Sequence, residues 1–148
     1  MKTYHKITCA AYLLPEKEGK ILLLRRYNTG YEDGNYSVVA GHVDEGESIL
    51  QTMIREAKEE AGIDIDEKDL ELVHVMHRMK ASEKDERVDF FFRCKNWLGE
   101  IKNMEPHKCD DLSWFELSNL PDNVIPYIKE ALNLIDRGQL YSEFGWND

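Results

Sequence analysis

Between Gly41 and Ile63 the chain reads GHVDEGESILQTMIREAKEEAGI, and this stretch decides how the remainder is understood. At 3.6 residues per turn, Glu56 lies one helical turn from both Glu59 and Glu60, so three carboxylates converge on one side of a helix. Left alone they repel, at a cost of roughly 0.2–0.5 kcal/mol per neighbouring pair. A cluster kept on one face therefore points to a cation. No His or Cys falls within it, and an oxygen-only ligand set selects Mg2+ or Mn2+. Arg55 is spaced to pair with Glu59 one turn on and so to steady that carboxylate. On the other face Ile49, Leu50, Met53, Ile54 and Ala57 recur at helical spacing and are expected to bury against a sheet. Ser48 followed by Gln51 is a capping-box signature, and Gly62 stands where a helix takes a left-handed C-cap.

Charge sharpens this reading. The chain carries 19 basic against 29 acidic residues, a net charge of −10. Such a protein repels a polyanionic nucleotide unless cations bridge the two. Long nucleic acid is excluded as a partner on the same ground, since no basic stripe is present to contact its phosphates. A length of 148 residues, 42% hydrophobic and 32% charged, suits one soluble domain spanning residues 1–148. No apolar run is long enough to span a bilayer and the first twenty residues lack a signal-peptide core, which makes a cytoplasmic location the expectation. Cys9, Cys94 and Cys109 are odd in number and show no CxxC spacing, so they are read as buried or incidental thiols.

Along the chain, Ile7–Leu14 and Lys20–Arg26 read as strands of a hairpin around the turn-like segment Pro15–Gly19. A loop over Tyr27–Asn35 leads to a short strand, Tyr36–Ala40. Beyond the helix, strands are expected over Leu70–His77 and Arg87–Lys95, separated by a charged loop at Lys80–Glu86, and again around Trp114 and Phe115. Val124–Arg137 has helical periodicity and is stopped by Gly138.

The positions Gly41, Glu47, Arg55, Glu56, Glu59, Glu60, Gly62 and Ile63 satisfy G-x5-E-x7-R-E-U-x-E-E-x-G-U, where U is bulky or aliphatic and Ala57 is a small occupant of its U position. The chain thus resembles the Nudix hydrolase superfamily, with its Nudix box at 41–63. That resemblance implies an α/β/α sandwich with a mixed β-sheet and a loop-helix-loop metal site. It implies Mg2+ or Mn2+ held by Glu56, Glu59 and Glu60, and hydrolysis of a pyrophosphate bond in a nucleoside diphosphate linked to another group. Arg55 then has an orienting role, with Glu47 positioning it. Glu56, Glu59 or a carboxylate outside the box takes the proton from water. Gly41, Glu47 and Gly62 are structural. Many members carry Pro-Gly-Gly where this chain has Val39-Ala40-Gly41, so the backbone carbonyl that often ligates metal belongs here to Ala40.

Outside the box, Trp97-Leu98-Gly99-Glu100 followed by Glu105 resembles the W-x-G-E-x4-E arrangement of the MutT branch, which makes Glu105 a candidate fourth carboxylate or an ordinary loop residue. Pro121-Asp122-Asn123 resembles that branch's base-contacting segment, and Asn123 is equally placed to cap the last helix. Arg25 and Arg26 end a strand that approaches the phosphates in the family; one points inward, and Arg25 is taken as the substrate-binding candidate. Tyr27, Tyr31 and Tyr36 are candidates for stacking on a base or for the core, Asp110 and Asp111 for a family acidic position or a solvated strand end. His42, His74, His77 and His107 receive no role. Signatures of ADP-ribose, dinucleoside polyphosphate and coenzyme A hydrolases are absent, which leaves a nucleoside triphosphate, oxidised or not, as the leading substrate. An ADP-ribose-like or other nucleotide-sugar diphosphate is the alternative. A non-catalytic Nudix-fold module, a calcium-binding protein and an isoprenoid isomerase are rivals of other classes. The implied partner is a small-molecule nucleotide, with the protein a monomer or homodimer.

Overall fold

A computed structural model of the chain describes residues 1–147. Its strands are β1 (Thr8–Lys17), β2 (Lys20–Arg26), β3 (Tyr36–Ser37), β4 (Val39–His42), β5 (Leu70–Lys80), β6 (Asp85–Cys94), β7 (Cys109–Glu116) and β8 (Tyr141–Phe144). Two α-helices, α1 (Ile49–Ala61) and α2 (Pro126–Asp136), complete it. The strands pair in the order β3-β2-β1-β6-β5-β8, with β4 added to β1 and β7 to β2. The pairs β1–β6 and β5–β8 are parallel and the remaining strand pairs antiparallel, which gives the mixed sheet.

Each face of the sheet has its own core. Met53, Ala57 and Ala61 of α1 pack with Ala11, Leu13, Val39 and Phe92. Ile128, Ala131, Leu132 and Ile135 of α2 pack with Tyr12, Leu14, Met76 and Phe91. Alternate residues of β1 thus feed opposite layers, as a strand's period of two requires. Burying each large aliphatic side chain contributes about 1.5–3 kcal/mol, so α1 is pinned by its apolar face. The expected face of α1 is nevertheless narrower than its sequence periodicity. Met53 and Ala57 are fully buried, Ile49 and Leu50 partly so, and Ile54 stays half-exposed outside this core.

The β1–β2 hairpin turns later than expected. Pro15 is buried within β1 opposite Cys94, and the reversal is made by Glu18 and Gly19 at φ +54° and +77°. Two successive positive φ values suit a two-residue turn that matches strand twist. The expected strand at Tyr36–Ala40 is split at Val38 into β3 and β4 and continues to His42. The charged loop after β5 shrinks to a 3-10 turn at Ala81–Glu83, with Lys84 at φ +50° leading straight into β6. Helix α2 begins with Pro126 in its first turn, where the missing N–H costs nothing. Asn123 therefore does not cap it; its Nδ2 donates instead to Gly34 O at 2.8 Å. Gly138, at φ +74°, follows the end of α2 as expected.

Strand β8 has no hydrophobic signature that announces it. His74 supplies part of the explanation: one ring nitrogen lies 2.8 Å from Gln139 O and the other 2.8 Å from Ser142 Oγ, tying β8 to β5. The thiols of Cys94 and Cys109 are buried and Cys9 is half-buried, all three free. Among the described residues no helix is long and apolar enough to cross a membrane.

Candidate active site

The capping box forms as the sequence predicts. Ser48 Oγ accepts from the Gln51 amide at 3.1 Å and Gln51 Oε1 from the Ser48 amide at 2.8 Å. Gly62 ends α1 at φ +71°, with its N–H reaching Lys58 O. These two caps set where the helix begins and ends, and hence which way its carboxylates point.

Arg55 sits at the centre of the loop-helix junction. It forms a fork with Glu47 (Nε to Oε2 2.8 Å, Nη2 to Oε1 2.9 Å), and Nη1 donates to Glu56 Oε1 at 2.7 Å. The contact to Glu59 predicted from helical spacing is present but longer, 3.3 Å, while Nη2 also reaches His42 O at 3.2 Å. Thr52 Oγ donates to the same Glu47 carboxylate at 2.6 Å. The Arg55 fork, then Thr52, hold Glu47 down to a pKa of about 2. Glu47 is thus a fixed anion that orients Arg55, and Arg55 in turn orients Glu56.

Glu60 is the buried member of the cluster, its Oε2 accepting from the Ala40 amide at 2.9 Å. Removal from water, then the nearby Glu56 charge, pushes its pKa well above the ordinary carboxylate range. Burial raises Glu56 as well, against the lowering pull of Arg55, and Glu105 adds repulsion to both. An Ala40 amide spent on Glu60 instead of on β1 sets the Ala40 carbonyl on the same strand edge, facing the carboxylates. At Gly41 an added Cβ would come within 2.1 Å of Glu56 Oε1, so this glycine is the space in which the carboxylate lies. We predict that Gly41→Ala leaves the fold intact but displaces Glu56, weakening stabilisation by Mg2+ or Mn2+ by about tenfold or more in the metal concentration required. A thermal-shift titration with either metal checks this; an unchanged midpoint would count against the assignment.

Glu56, Glu59, Glu60 and Glu105 all line a single cavity of about 620 Å³. Among the described residues no three His, Cys, Asp or Glu side chains are already gathered about one point. The reason lies in the hydrogen bonds above: Arg55 draws Glu56 and Glu59, and Ala40 draws Glu60. The donor set nonetheless fits Mg2+ or Mn2+, being all oxygen and rich in desolvated carboxylates whose mutual repulsion a cation relieves.

The other candidates separate. Arg26, held by Nε to Tyr31 O at 2.7 Å, lines the cavity and also an adjoining chamber of about 200 Å³, whereas Arg25 pairs with Asp110 at 2.8 Å and borders the adjoining chamber only. Glu105 and Lys108 line both spaces. Asn123 is tied to Gly34 and lines neither. Tyr31 edges the cavity, Tyr27 is exposed, and Tyr36 is a core residue that packs edge-on to Phe115 and donates to Asp111. His42 lines the cavity beside Arg87, at 2.6 Å from its Nη1.

Sequence reading missed Tyr12, Arg78, Arg87 and Tyr127, which also line the cavity. A signal existed. Met76 and Arg78 share one face of β5, and Asp89 and Phe91 one face of β6, so an opposite pair of charges stood at core-facing positions.

A family model described as the NUDIX domain matches residues 4–135. The chain belongs to the Nudix family. This Nudix chain is 29% identical over 120 residues to the NAD-capped RNA hydrolase NudC of Stutzerimonas stutzeri, covering 80% of the chain and 40% of that protein. It is 31% identical over 109 residues to the ADP-ribose pyrophosphatase of Methanocaldococcus jannaschii, covering 72% of the chain and 60% of that protein. It therefore spans less than two thirds of either relative. Among solved structures, the MutT Nudix hydrolase from Burkholderia pseudomallei superposes with a TM-score of 0.78 at 26% identity, covering 87% of this chain and 98% of that one.

Proposed function

We propose that this Nudix domain is a metal-dependent hydrolase of a pyrophosphate bond in a nucleoside diphosphate linked to another group. One observation carries the reading: Glu56, Glu59, Glu60 and Glu105 line one cavity together with the cationic side chains of Arg26, Arg78, Arg87 and Lys108. Glu56, Glu59, Glu60, Glu105 and the Ala40 carbonyl are the groups that would hold Mg2+ or Mn2+. When bound, the metal neutralises phosphate oxygens and lowers the pKa of a water. Arg55 positions Glu56 and Glu59, and Arg26 and Lys108 bring positive charge to the phosphate end. Glu56, Glu59 or Glu105 takes the proton of the attacking water.

Nucleoside triphosphates are the first substrate class. Nucleotide-sugar diphosphates and dinucleotides are the second, favoured by the likeness to an ADP-ribose pyrophosphatase and an NAD-capped RNA hydrolase. A panel of both classes assayed for Mg2+- or Mn2+-dependent phosphate, pyrophosphate or mononucleotide release tests the proposal. No turnover of any diphosphate compound would overturn it and favour a binding module.

The raised carboxylates give a pH prediction. A folded-state pKa above the unfolded value contributes stability at low pH that is lost as pH rises through the folded value. Ionised Glu56 and Glu60 thus weaken the metal-free protein above the ordinary carboxylate range, and a cation removes that cost. The rise in melting temperature on adding Mg2+ is expected to be larger at about pH 8 than at about pH 5. An increment independent of pH would contradict the ligand set.

A further inference from the structure

The loop between β2 and β3 is wound around one side chain, Arg26. At its base the Arg26 amide donates to Asn35 O at 2.9 Å and the Gly34 amide to Arg26 O at 2.8 Å, while the Tyr27 amide donates to Lys108 O at 2.9 Å. Between these ties the backbone is left-handed at Asn28, Gly30, Glu32 and Gly34, with φ of +54°, +84°, +51° and +87°. Asn28 and Glu32 carry side chains there, a conformation that costs free energy and persists only where surrounding contacts enforce it. The guanidinium supplies some of those contacts. Nε donates to Tyr31 O at 2.7 Å, Nη2 donates to Thr29 Oγ1 at 3.1 Å, and the Tyr31 ring centroid lies 5.2 Å from the central carbon. Nη1 has no protein partner among the described residues and is not one of the buried unpartnered atoms. It is the donor left for a ligand in the two chambers that Arg26 lines, both of which Glu60, Glu105 and Lys108 also line.

Thr29 Oγ1 is the hub of this loop, and a hydroxyl has one proton to place. It stands 2.5 Å from Asp33 Oδ1 and 3.0 Å from Tyr31 O, and it accepts from Arg26 Nη2 and from the Tyr31 amide, the latter at 3.2 Å. An ionised carboxylate only accepts, and it takes the proton in the shorter bond, which leaves the hydroxyl lone pairs for the guanidinium and the amide. Asp33 is kept ionised by the same contacts: the Thr29 hydroxyl, then the Gly30 amide at 2.8 Å, hold its carboxyl below the ordinary range. It also accepts from the Thr29 amide at 3.0 Å. Without Asp33 the hydroxyl would turn to Tyr31 O, the carbonyl that Arg26 Nε already uses. Both bonds that aim Arg26 thus depend on a carboxylate to which Arg26 makes no hydrogen bond.

We propose that Asp33 is a positioning residue: acting through the Thr29 hydroxyl, it aims the Arg26 guanidinium at the phosphate oxygens of a diphosphate-bearing substrate. The assignment rests on the hydrolase reading above. Arg26 would meet oxygens that are anionic both before and during phosphoryl transfer, so loss of its aim falls on binding, hence on KM, more than on kcat.

Steady-state kinetics with Mg2+ and either ATP or ADP-ribose, one compound from each substrate class, tests this. In Asp33→Ala and in Thr29→Val, KM is expected to rise about fivefold to tenfold, with kcat within about twofold of the wild-type value. Thr29→Ser, which keeps the hydroxyl, retains the wild-type KM. Arg26→Ala raises KM at least as far, and adding Asp33→Ala to it brings no further rise, because Asp33 acts only through Arg26. A loop that merely folds less well would instead lower the melting temperature and add its effect to that of Arg26→Ala. Unchanged KM in a folded Asp33→Ala variant, or additive effects in the double variant, would overturn the proposal. Binding of inorganic pyrophosphate with Mg2+, measured by calorimetry and through the Arg26 Nε–H resonance, separates the positioning role from the hydrolase reading. Weaker pyrophosphate binding and a displaced resonance in Asp33→Ala support the positioning role even if no diphosphate compound is turned over, a result that overturns the hydrolase reading alone. Equal binding by the two proteins, or a resonance that does not move, removes the positioning role.

Discussion

Glu59→Gln is expected to lower metal-dependent turnover on the order of a thousandfold while leaving the melting temperature nearly unchanged. Its carboxylate is the most exposed of the α1 cluster, 54% accessible against 13% for Glu56, and its ion-pair partner is Arg55, at 3.3 Å. Little folding free energy therefore depends on it, and the change in stability should stay within roughly 0.5 kcal/mol. Its charge, however, is one of those a cation would need, and losing several kcal/mol of charge stabilisation corresponds to a rate factor of that size. The amide is isosteric but not anionic, so an effect confined to activity separates ligation from packing. Near-wild-type turnover in Glu59→Gln would remove this residue from the site.

The largest effect on folding is expected from Asp89→Ala. Asp89 has no solvent exposure, and its removal leaves Arg78 Nε and the Tyr12 hydroxyl without their buried partner. Breaking a buried pair from one side costs about 3–5 kcal/mol, or a fall of roughly 10 °C in melting temperature for a chain of this size. Replacing both partners together, Arg78→Met with Asp89→Leu, should recover much of that loss, because no unpaired charge then remains. Denaturant melts of the two single variants and the double variant form the cycle. A loss below about 1 kcal/mol in Asp89→Ala would show that water reaches the pair.

How far the sequence foretold the molecule differs from region to region. The caps of α1, its carboxylate face and strands β1 and β2 were legible because each follows from local chemistry, Ser48 with Gln51, Gly62, and continuous apolar runs in the two strands, whereas the mixed sheet was implied only by the resemblance to the Nudix superfamily. The Arg55 partners were only partly legible. Helical spacing points to Glu59, but Glu47 arrives from the preceding loop and no periodicity encodes that approach. Strand β8 was not legible, since it pairs in parallel with the distant β5 and is tied there in part by His74, neither of which local sequence encodes. The placement of Arg25 and Arg26 likewise waited on tertiary structure: Arg26 borders both chambers, whereas Arg25 borders the smaller one and pairs with Asp110. Asn123 shows the converse, a residue with ordinary capping chemistry drawn instead to a loop carbonyl at Gly34.

The fan of contacts around Arg55 bears on how the protein behaves when metal is scarce. A guanidinium that holds Glu47, Glu56 and Glu59 already balances part of their negative charge. Chelation should therefore empty the site without collapsing it, and replenishment should restart activity without a refolding delay. On the proposed ligand set, the same guanidinium would release part of its hold on Glu56 and Glu59 when a cation binds, so apparent metal affinity would reflect a competition between two kinds of positive charge.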